Sequence, residues 1–219
     1  MPAPDYNQFA GQKVHRLEAL SDAVFAIAMT ILVLELKVPV AEGVTSEMGL
    51  LHEFWGLKIK LLSYLLGFMT LGIFWVGHST QFKFIKQADR HLTWISILFL
   101  MFASLLPFST AFLGEHIHFK VAVWLYWLNI FLCGLAIYIH WHYACRKGFI
   151  EEAAHDDGVY SAIRNRIFVA QAFYAAAALL AFVNTYLSVA VTILIQVNYA
   201  FAFFFRQDRA KTESKDLED

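Results

Sequence analysis

The stretch Ile167–Phe205, IFVAQAFYAAAALLAFVNTYLSVAVTILIQVNYAFAFFF, contains no Asp, Glu, Lys or Arg across its 39 residues. A helix needs about 20 such residues to cross a hydrocarbon core of about 30 Å. One helix of this length would be about 58 Å long, which is too long for a single crossing. Asn184-Thr185-Tyr186 lies near the middle of the stretch. The stretch therefore predicts two membrane-spanning helices joined by a very tight turn.

Three further stretches without charged residues have the length of one span each, and they are Leu61–Phe82, Leu92–Gly114 and Val121–Cys145. Charged residues make up only 16% of the chain, against about 25% in an ordinary soluble domain. Hydrophobic residues make up 59%, which is more than a soluble chain of this size can bury. These numbers exclude a soluble domain and predict an integral membrane protein.

The composition also excludes other classes of protein and of site. Aromatic residues make up 16% of the chain, whereas disordered chains are poor in them. A net charge of −1 provides no basic stripe, so we expect no nucleic-acid partner. The two cysteines, Cys133 and Cys145, are too few for a disulfide framework or a four-ligand zinc site.

The first span, Leu17–Val38, differs from the others because it carries ionisable residues. Only the 12 residues between Asp22 and Glu35 are free of charge, and Glu18 lies nearby. Pro39 marks a natural end of the helix. Ionisable side chains inside a membrane normally face a protein interior or a water-filled path. The first helix is therefore the candidate functional element.

The distribution of basic residues predicts the orientation. Six spans place both termini on one side, and 13 of the 17 Lys and Arg residues fall on that side. The remaining four are Lys37, Lys58, Lys60 and Lys120. By the positive-inside rule, both termini are cytoplasmic. The fold class predicted is all-α, an integral membrane bundle of six transmembrane helices.

The predicted organisation has a single domain. Residues 1–15 form a cytoplasmic N-terminal segment with no apolar core for a signal peptide. Residues 16–206 form the six-helix transmembrane domain, and residues 207–219 form a cytoplasmic tail. The linker at residues 39–57 lies outside and forms a short surface helix. This layout predicts a multi-pass membrane protein.

The ionisable group that most needs a partner is Asp22. An Asp inside a span costs about 2.5–3.5 kcal/mol on insertion scales, although at headgroup level it can simply cap a solvated helix start. Trp75 and His78 share one face near the inner end of the second helix, so His78 can reach Asp22 or Arg16. The alternative for Trp75 is an aromatic-belt anchor. Both interpretations stay open from the residues alone.

Two other features have a structural interpretation. His140 and His142 lie two apart near the end of the fourth helix, where they point in different directions and cannot chelate one metal. We interpret both as interfacial histidines. Pro107 within the third span predicts a kink, whose freed carbonyl neighbouring Ser or Thr hydroxyls help to satisfy.

The run Arg16–Thr30, RLEALSDAVFAIAMT, resembles the signature of the prokaryotic transmembrane protein 175 family of potassium channels. That signature is Arg-x-x-x-Phe-Ser-Asp, followed by a Val-Phe-Ala-Ile-Ala-type run and a Thr. Leu20 stands where the family has Phe. Trp75 and His78 resemble the family's second-helix pair, and Leu106–Ser109 resembles its third-helix segment.

The resemblance implies a homotetramer in the lipid bilayer of a prokaryotic cell membrane, with four copies of the first helix around a pore for potassium ions and with no cofactor. Its narrow apolar constriction falls on Ile27, the position associated with ion preference on Thr30, and a further pore-facing position on Leu34. Glu35 lies at the pore mouth, where it can concentrate cations. The inner structural network implied consists of Arg16, Ser21, Asp22, Trp75 and His78.

The pattern of the first helix agrees with this assignment. Ala23, Ile27, Thr30 and Leu34 recur at +4, +7 and +11, which places them on one helical face. Ordinary packing in the bundle produces the same stripe. The chain lacks the carbonyl filter motif of other potassium channels, a Walker loop and a nucleophile turn. We therefore expect a channel and not an enzyme.

Two other function classes compete with the channel. The first is a secondary or proton-coupled transporter that uses Asp22 and His78 as a relay, although such carriers usually show paired repeats and broken helices. The second is a membrane-embedded enzyme or haem protein that uses the histidines, which requires a His well inside the bundle with a facing partner.

Overall fold

The computed structural model describes residues 13–38, 45–151 and 157–201, and this part of the chain is helical apart from one isolated bridge between Ile85 and Ile150. The helices are α1 Val14–Leu34, α2 Glu47–Gly56, α3 Lys58–Phe84, α4 Arg90–Ser104, α5 Leu106–Glu115, α6 Lys120–Arg146, α7 Asp157–Leu179 and α8 Thr185–Phe201, with a 3-10 turn at Leu180–Phe182. The predicted all-α class is confirmed.

Five helical segments of the described chain are long and apolar enough to cross a membrane, and they are Val14–Leu34, Lys58–Phe84, Arg90–Glu115, Lys120–Arg146 and Gly158–Phe182. The predicted sixth span corresponds to Thr185–Phe201, which has 17 residues and is shorter than the others. Residues after 201 lie outside the described ranges. A count of six spans and cytoplasmic termini remain predictions.

The turn predicted inside the stretch 167–205 is confirmed. The helix tightens into the 3-10 turn, and α8 begins at Thr185. The Asn184 side-chain oxygen accepts hydrogen bonds from the N–H groups of Tyr186 (2.8 Å) and Leu187 (3.1 Å). An Asn at this position caps a helix because it satisfies two backbone donors that have no intrahelical partner.

The third span is broken beside Pro107, where the sequence predicts a kink. Helix α4 ends at Ser104 and α5 starts at Leu106, with Pro107 in its first turn. The Asn129 side-chain amide donates to the Phe102 carbonyl (2.9 Å), and the Ser109 hydroxyl donates to the Asn129 oxygen (2.9 Å). The kink is therefore stabilised by α6 as well as by the neighbouring hydroxyl, because a polar backbone group inside a membrane needs an internal partner.

The first helix begins three residues earlier than predicted, at Val14, and also ends earlier, and a surface helix follows it. Helix α1 ends at Leu34, with Glu35 as its C-cap residue, four positions before the expected end at Val38. Pro39 lies outside the described residues. The short helix predicted in the linker is α2, and none of its residues is buried.

Asp89 connects the loop after α3 to α6, outside the membrane spans. Its carboxylate accepts the Leu92 N–H (2.8 Å) as the N-cap of α4, and it accepts the Tyr143 hydroxyl (2.6 Å). Burial raises the pKa of Asp89, but these two hydrogen bonds, together with the charge and the backbone N–H of His91, outweigh it, so the pKa lies below its ordinary value. The stabilising contribution is therefore complete at neutral pH and is lost only as the pH falls through the lowered pKa.

Helices α1, α3 and α5 cross closely at Gly67. A Cβ atom at this position would lie 2.9 Å from Leu32 Cδ2 of α1 and 3.0 Å from Thr110 Oγ1 of α5. The Thr110 hydroxyl is fixed by its hydrogen bond to the Leu106 carbonyl (2.7 Å). A side chain at this position would therefore force Leu32 and Thr110 to shift, so the crossing favours glycine.

We expect Gly67→Val to lower the thermal unfolding temperature of the detergent-solubilised protein, because overpacking a close contact costs about 1–3 kcal/mol or more. Gly72→Val is the matched control, since it lies in the same helix and a Cβ there has no neighbour within 4 Å. Both variants change helix propensity equally. Equal unfolding temperatures for the two variants would contradict the packing argument.

Candidate functional site

Helix α1 has one face packed in the bundle and one face that its own protomer leaves uncovered. The buried face consists of Leu17, Ser21, Phe25, Ala28 and Leu32. All four residues of the predicted pore stripe are exposed, with exposed fractions of 59% for Ile27 and 72% for Leu34. The stripe therefore is not internal packing of one chain, which was the open alternative.

The uncovered face carries a hydroxyl oxygen in a fixed position. Thr30 Oγ1 donates a hydrogen bond to the Ile27 carbonyl (2.8 Å). This bond directs the proton toward the backbone, so the lone pairs of the oxygen point away from the helix. A hydroxyl oxygen held in this way can accept hydrogen bonds from water or coordinate a cation.

Glu35 places a carboxylate at the C-terminal end of α1. Its neighbour across a surface cavity is Glu115, which forms an ion pair with Lys60 at 2.9 Å. Glu35 has no ion-pair partner within the part of the chain that the structure describes. The C-terminus of a helix also carries a partial negative charge. Lys60 lines a neighbouring cavity together with Glu35 and Glu115, so this end of the uncovered face carries two carboxylates and one ammonium group.

Two side-chain hydrogen bonds join the other end of α1 to α3. Ser21 Oγ lies 2.9 Å from His78 Nδ1 in a buried contact, and Trp75 Nε1 donates to Asp22 Oδ1 at 2.8 Å. Ser21 and Asp22 are consecutive, while Trp75 and His78 lie one turn apart. The structure thus brings four of the five predicted network residues together, and it pairs His78 with Ser21 and not with Asp22.

Asp22 does not cap the start of its helix, because α1 begins at Val14 and its N-cap residue is Lys13. The Asp22 side chain is exposed but its carboxylate has the Trp75 indole as a partner. Arg16 is exposed, and its guanidinium has no hydrogen-bond or ion-pair partner among residues 13–38, 45–151 and 157–201. The network role predicted for Arg16 stays a prediction.

His78 continues into a buried cluster that the sequence did not indicate. His140 is fully buried, and its Nδ1 lies 2.7 Å from Gln81 Oε1, while Gln81 Nε2 donates to the Ile137 carbonyl (3.0 Å). The ring centroids of His78 and His140 are 5.0 Å apart. This cluster fixes the C-terminal half of α3 against α6, directly behind the bonds to α1.

The prediction that His140 and His142 are both interfacial is wrong for His140. Only His142 is exposed, and its Nδ1 lies 3.2 Å from the Tyr160 hydroxyl. Residues two apart on a helix differ by about 200°, so one of the two faces the bundle when the other faces outward. Gln81 follows His78 at i+3, and this spacing is the signal that could have indicated a polar interior.

A second polar cluster holds α8 at the centre of the bundle. Gln196 Nε2 donates to Thr70 Oγ1 (2.6 Å) and lies 3.2 Å from the Tyr126 hydroxyl. Thr70 and Tyr126 also contact each other through their hydroxyls. These residues join α3, α6 and α8, away from the uncovered face of α1. No group of three or more His, Cys, Asp or Glu side chains in the described ranges is placed to hold a metal ion.

The part of the chain that carries these residues matches a known protein family. The family model for endosomal/lysosomal potassium channel TMEM175 matches residues 16–107, which include most of α1, all of α3 and both hydrogen-bonded pairs. The chain is 33% identical to a potassium channel of Streptomyces collinus over 190 residues, covering 85% of this chain and 91% of the relative. It is 31% identical to a potassium channel of Chamaesiphon minutus over 189 residues, covering 84% and 92%.

A solved structure and an animal relative extend the comparison. The crystal structure of a lysosomal potassium-selective channel TMEM175 homolog from Chamaesiphon minutus matches with a TM-score of 0.74 and 29% identity, covering 86% of this chain and 97% of that chain. The endosomal/lysosomal proton channel TMEM175 of Mus musculus is 28% identical over 228 residues, covering 92% of this chain and 44% of the relative. Identity of 33% over nearly the whole length of a bacterial relative, together with the shared fold, shows that this membrane protein belongs to the TMEM175 family.

Proposed function

We propose that the protein is a potassium-selective cation channel in which four copies of α1 surround a central pore. The observation that carries the proposal is the uncovered face of α1, which presents Ile27, Thr30 and Leu34 away from the protomer's own bundle. One helix face per chain cannot enclose a path by itself, so closure requires rotational symmetry. The names of the bacterial relatives as potassium channels support the choice of ion.

In the proposed pore, four Ile27 side chains form an apolar constriction. Such a ring blocks ions by dewetting or by steric contact. When it widens slightly, an ion must shed part of its hydration shell to pass. Potassium holds that shell less tightly than sodium, so the barrier favours potassium. Four Thr30 oxygens replace some of the lost water ligands, and four Glu35 carboxylates raise the local cation concentration at the mouth.

The two hydrogen bonds between α1 and α3 set the position of the pore helix in this proposal. Around α1, Ser21 lies about 150° and Asp22 about 110° from the middle of the stripe. The Ser21 bond joins α1 to the buried His78 cluster, and the Asp22 bond joins it to Trp75. A shift of α3 is therefore transmitted to α1. We assign Ser21, Asp22, Trp75 and His78 a positioning role and no contact with the ion.

The proton-coupled transporter is a weaker interpretation of the same residues. A relay between Asp22 and His78 requires them to exchange a proton, but in the described structure each is hydrogen-bonded to a different partner. The solved structure that the chain resembles is a channel. The Mus musculus relative is named a proton channel, so the test of function must measure potassium and protons separately.

Purified protein in potassium-loaded liposomes tests the proposal. We expect potassium efflux down its gradient, measured with a proton ionophore and a pH-sensitive dye, and a slower flux when sodium replaces potassium. Light scattering corrected for detergent should give four protomers of 25.0 kDa per particle. The dye signal should disappear when the ionophore is left out, because a potassium channel needs a returning charge. A dye signal that persists without the ionophore would contradict a potassium channel and indicate that the protein itself moves protons.

Thr30→Ala should lower the preference for potassium over sodium while the pore still conducts, because it removes four hydroxyl ligands without widening the Ile27 ring. The measurement is the ratio of potassium to sodium flux in the same liposomes. Thr30→Ser is the matched control, since it keeps the hydroxyl that bonds to the Ile27 carbonyl, and it should retain most of the preference. An unchanged ratio in Thr30→Ala would remove Thr30 from the selectivity mechanism.

A further inference from the structure

Helix α2 has an apolar side and a polar side, although none of its residues is buried against the rest of the described chain. At 100° per residue, its five large apolar side chains fall within an arc of about 160°. These side chains are Met48, Leu50, Leu51, Phe54 and Trp55. The other side of the helix carries Gly49, His52, Glu53 and Gly56, and the one charged residue within the apolar arc is Glu47, the first residue of the helix. An arc of this width is typical of a helix with one face in an apolar medium.

The apolar arc has no partner in the described chain. All five of its side chains are exposed, with exposed fractions between 49% for Leu51 and 76% for Met48. None of the ten residues of α2 is buried. Large exposed apolar patches mark an interaction surface.

The position of α2 along the chain places it at the membrane surface. Only Leu57 separates it from α3, which starts at Lys58 and is a membrane span. Helix α3 has 27 residues and is therefore about 40 Å long, against a hydrocarbon core of about 30 Å. Its first residues thus lie within a few ångströms of the hydrocarbon boundary. Leu62 and Leu65 of α3 are also exposed, so an apolar surface continues from α2 into the span.

The backbone of α2 is suited to a place where water is scarce. The Ser46 hydroxyl accepts the Gly49 N–H (3.1 Å) as an N-cap, and the Leu57 N–H donates to the Phe54 carbonyl (3.0 Å). A segment that enters the apolar side of the interface must satisfy its peptide groups internally. These bonds satisfy one backbone N–H group at each end of the helix, which lowers the cost of placing it at the interface.

The charges of α2 indicate which force attaches it. Many interfacial helices carry Lys and Arg that bind anionic lipids, but Glu47–Gly56 contains none and has two glutamates, Glu47 and Glu53. Attraction to anionic headgroups is therefore excluded as the main force. The main attaching force is therefore the insertion of apolar side chains among the acyl chains. This force does not depend on the screening of charges by salt.

We propose that α2 is an interfacial helix whose apolar arc lies among the lipid chains, in the leaflet surface at which α3 enters the membrane. The polar side, with His52 and Glu53, faces water. The helix holds the start of α3 at a fixed height. It therefore also fixes the height of the Gly67 crossing, where α3 meets the pore helix of the proposed function.

Spin labels on neighbouring residues of α2 test the proposal. The full-length protein with Cys145→Ala keeps only Cys133, which is buried, and receives either Leu51→Cys or His52→Cys. In phosphatidylcholine vesicles, the label at 51 should relax more with oxygen, which concentrates in lipid, than with a water-soluble nickel complex. The label at 52, about 100° away, should show the reverse.

A second pair repeats the comparison, with Phe54→Cys expected to follow position 51 and Glu53→Cys expected to follow position 52. The pattern should be the same in vesicles with anionic lipid and in high salt. Nickel access at all four positions would place α2 in water and overturn the proposal. Protection from both reagents at 51 and 54 would mean that protein, such as a second copy of this chain, covers the arc, and it would overturn the proposal equally.

Discussion

Ile27→Asn is expected to raise the basal potassium flux of the reconstituted channel by about tenfold or more, which corresponds to a barrier lowered by about 1.4 kcal/mol. A ring of four apolar side chains expels water from the narrowest part of the pore. Four carboxamides keep that ring wet and provide oxygens to a partly dehydrated ion. Ile27 is on the uncovered face of α1 and makes no contribution to the buried core, so the variant should fold normally. Potassium efflux from liposomes measures the effect.

Val33→Asn is the matched control for this prediction. Val33 is also exposed in the protomer, with an exposed fraction of 48% against 59% for Ile27, and it lies about 100° from Leu34 around the helix. Exposure alone therefore predicts the same effect for both variants, whereas the proposed pore predicts an effect only at Ile27. A rise in flux for Val33→Asn without one for Ile27→Asn would show that a different face of α1 lines the pore.

Asp22→Ala should reduce the stability of the protein far more than its ion preference. The substitution removes the acceptor of the Trp75 indole N–H, and loss of a hydrogen bond to a charged group costs about 1.5–3 kcal/mol. We expect a lower thermal unfolding temperature and less intact oligomer in detergent. The channels that remain should have an unchanged potassium-to-sodium flux ratio, because Asp22 does not face the stripe.

Asp22→Asn distinguishes loss of the hydrogen bond from loss of the charge. The amide keeps an oxygen for the Trp75 indole and should recover most of the unfolding temperature. Ser21→Ala tests the neighbouring pair, since it leaves the buried His78 Nδ1 without its partner, and it should also destabilise the protein. An Asp22→Ala protein with normal stability and normal flux would mean that the Asp22 carboxylate is merely solvated.

Most of the fold follows from the positions of charged residues. The stretch Leu61–Phe82 predicted α3 to within three residues at each end, and Asn184 marked the turn before α8. The start of α7 was placed too late, because Arg164 and Arg166 lie on the helix and not before it. Long basic side chains near a helix end extend toward the interface, so a run without charges underestimates the length of the helix.

The part of the candidate site that lies on a single helix could be predicted from the sequence. The stripe of α1 needs only the helical period and a motif, and both are visible in Arg16–Thr30. The pairings across helices were not predictable, because sequence spacing does not fix which of Ser21 and Asp22 faces His78. The contact between His140 and Gln81 was missed for the same reason, because the two residues lie 59 positions apart in the chain.

Access of a thiol reagent to α1 tests the central claim most directly, which is that the stripe of Ile27, Thr30 and Leu34 lines the ion path. In the Cys145→Ala background, Thr30→Cys or Val33→Cys is treated with a positively charged methanethiosulfonate from the side on which α1 ends, while potassium current is recorded in a planar bilayer. The proposal predicts that modification at position 30 blocks the current and that position 33 shows no effect. Block at position 33 with none at position 30 would contradict it.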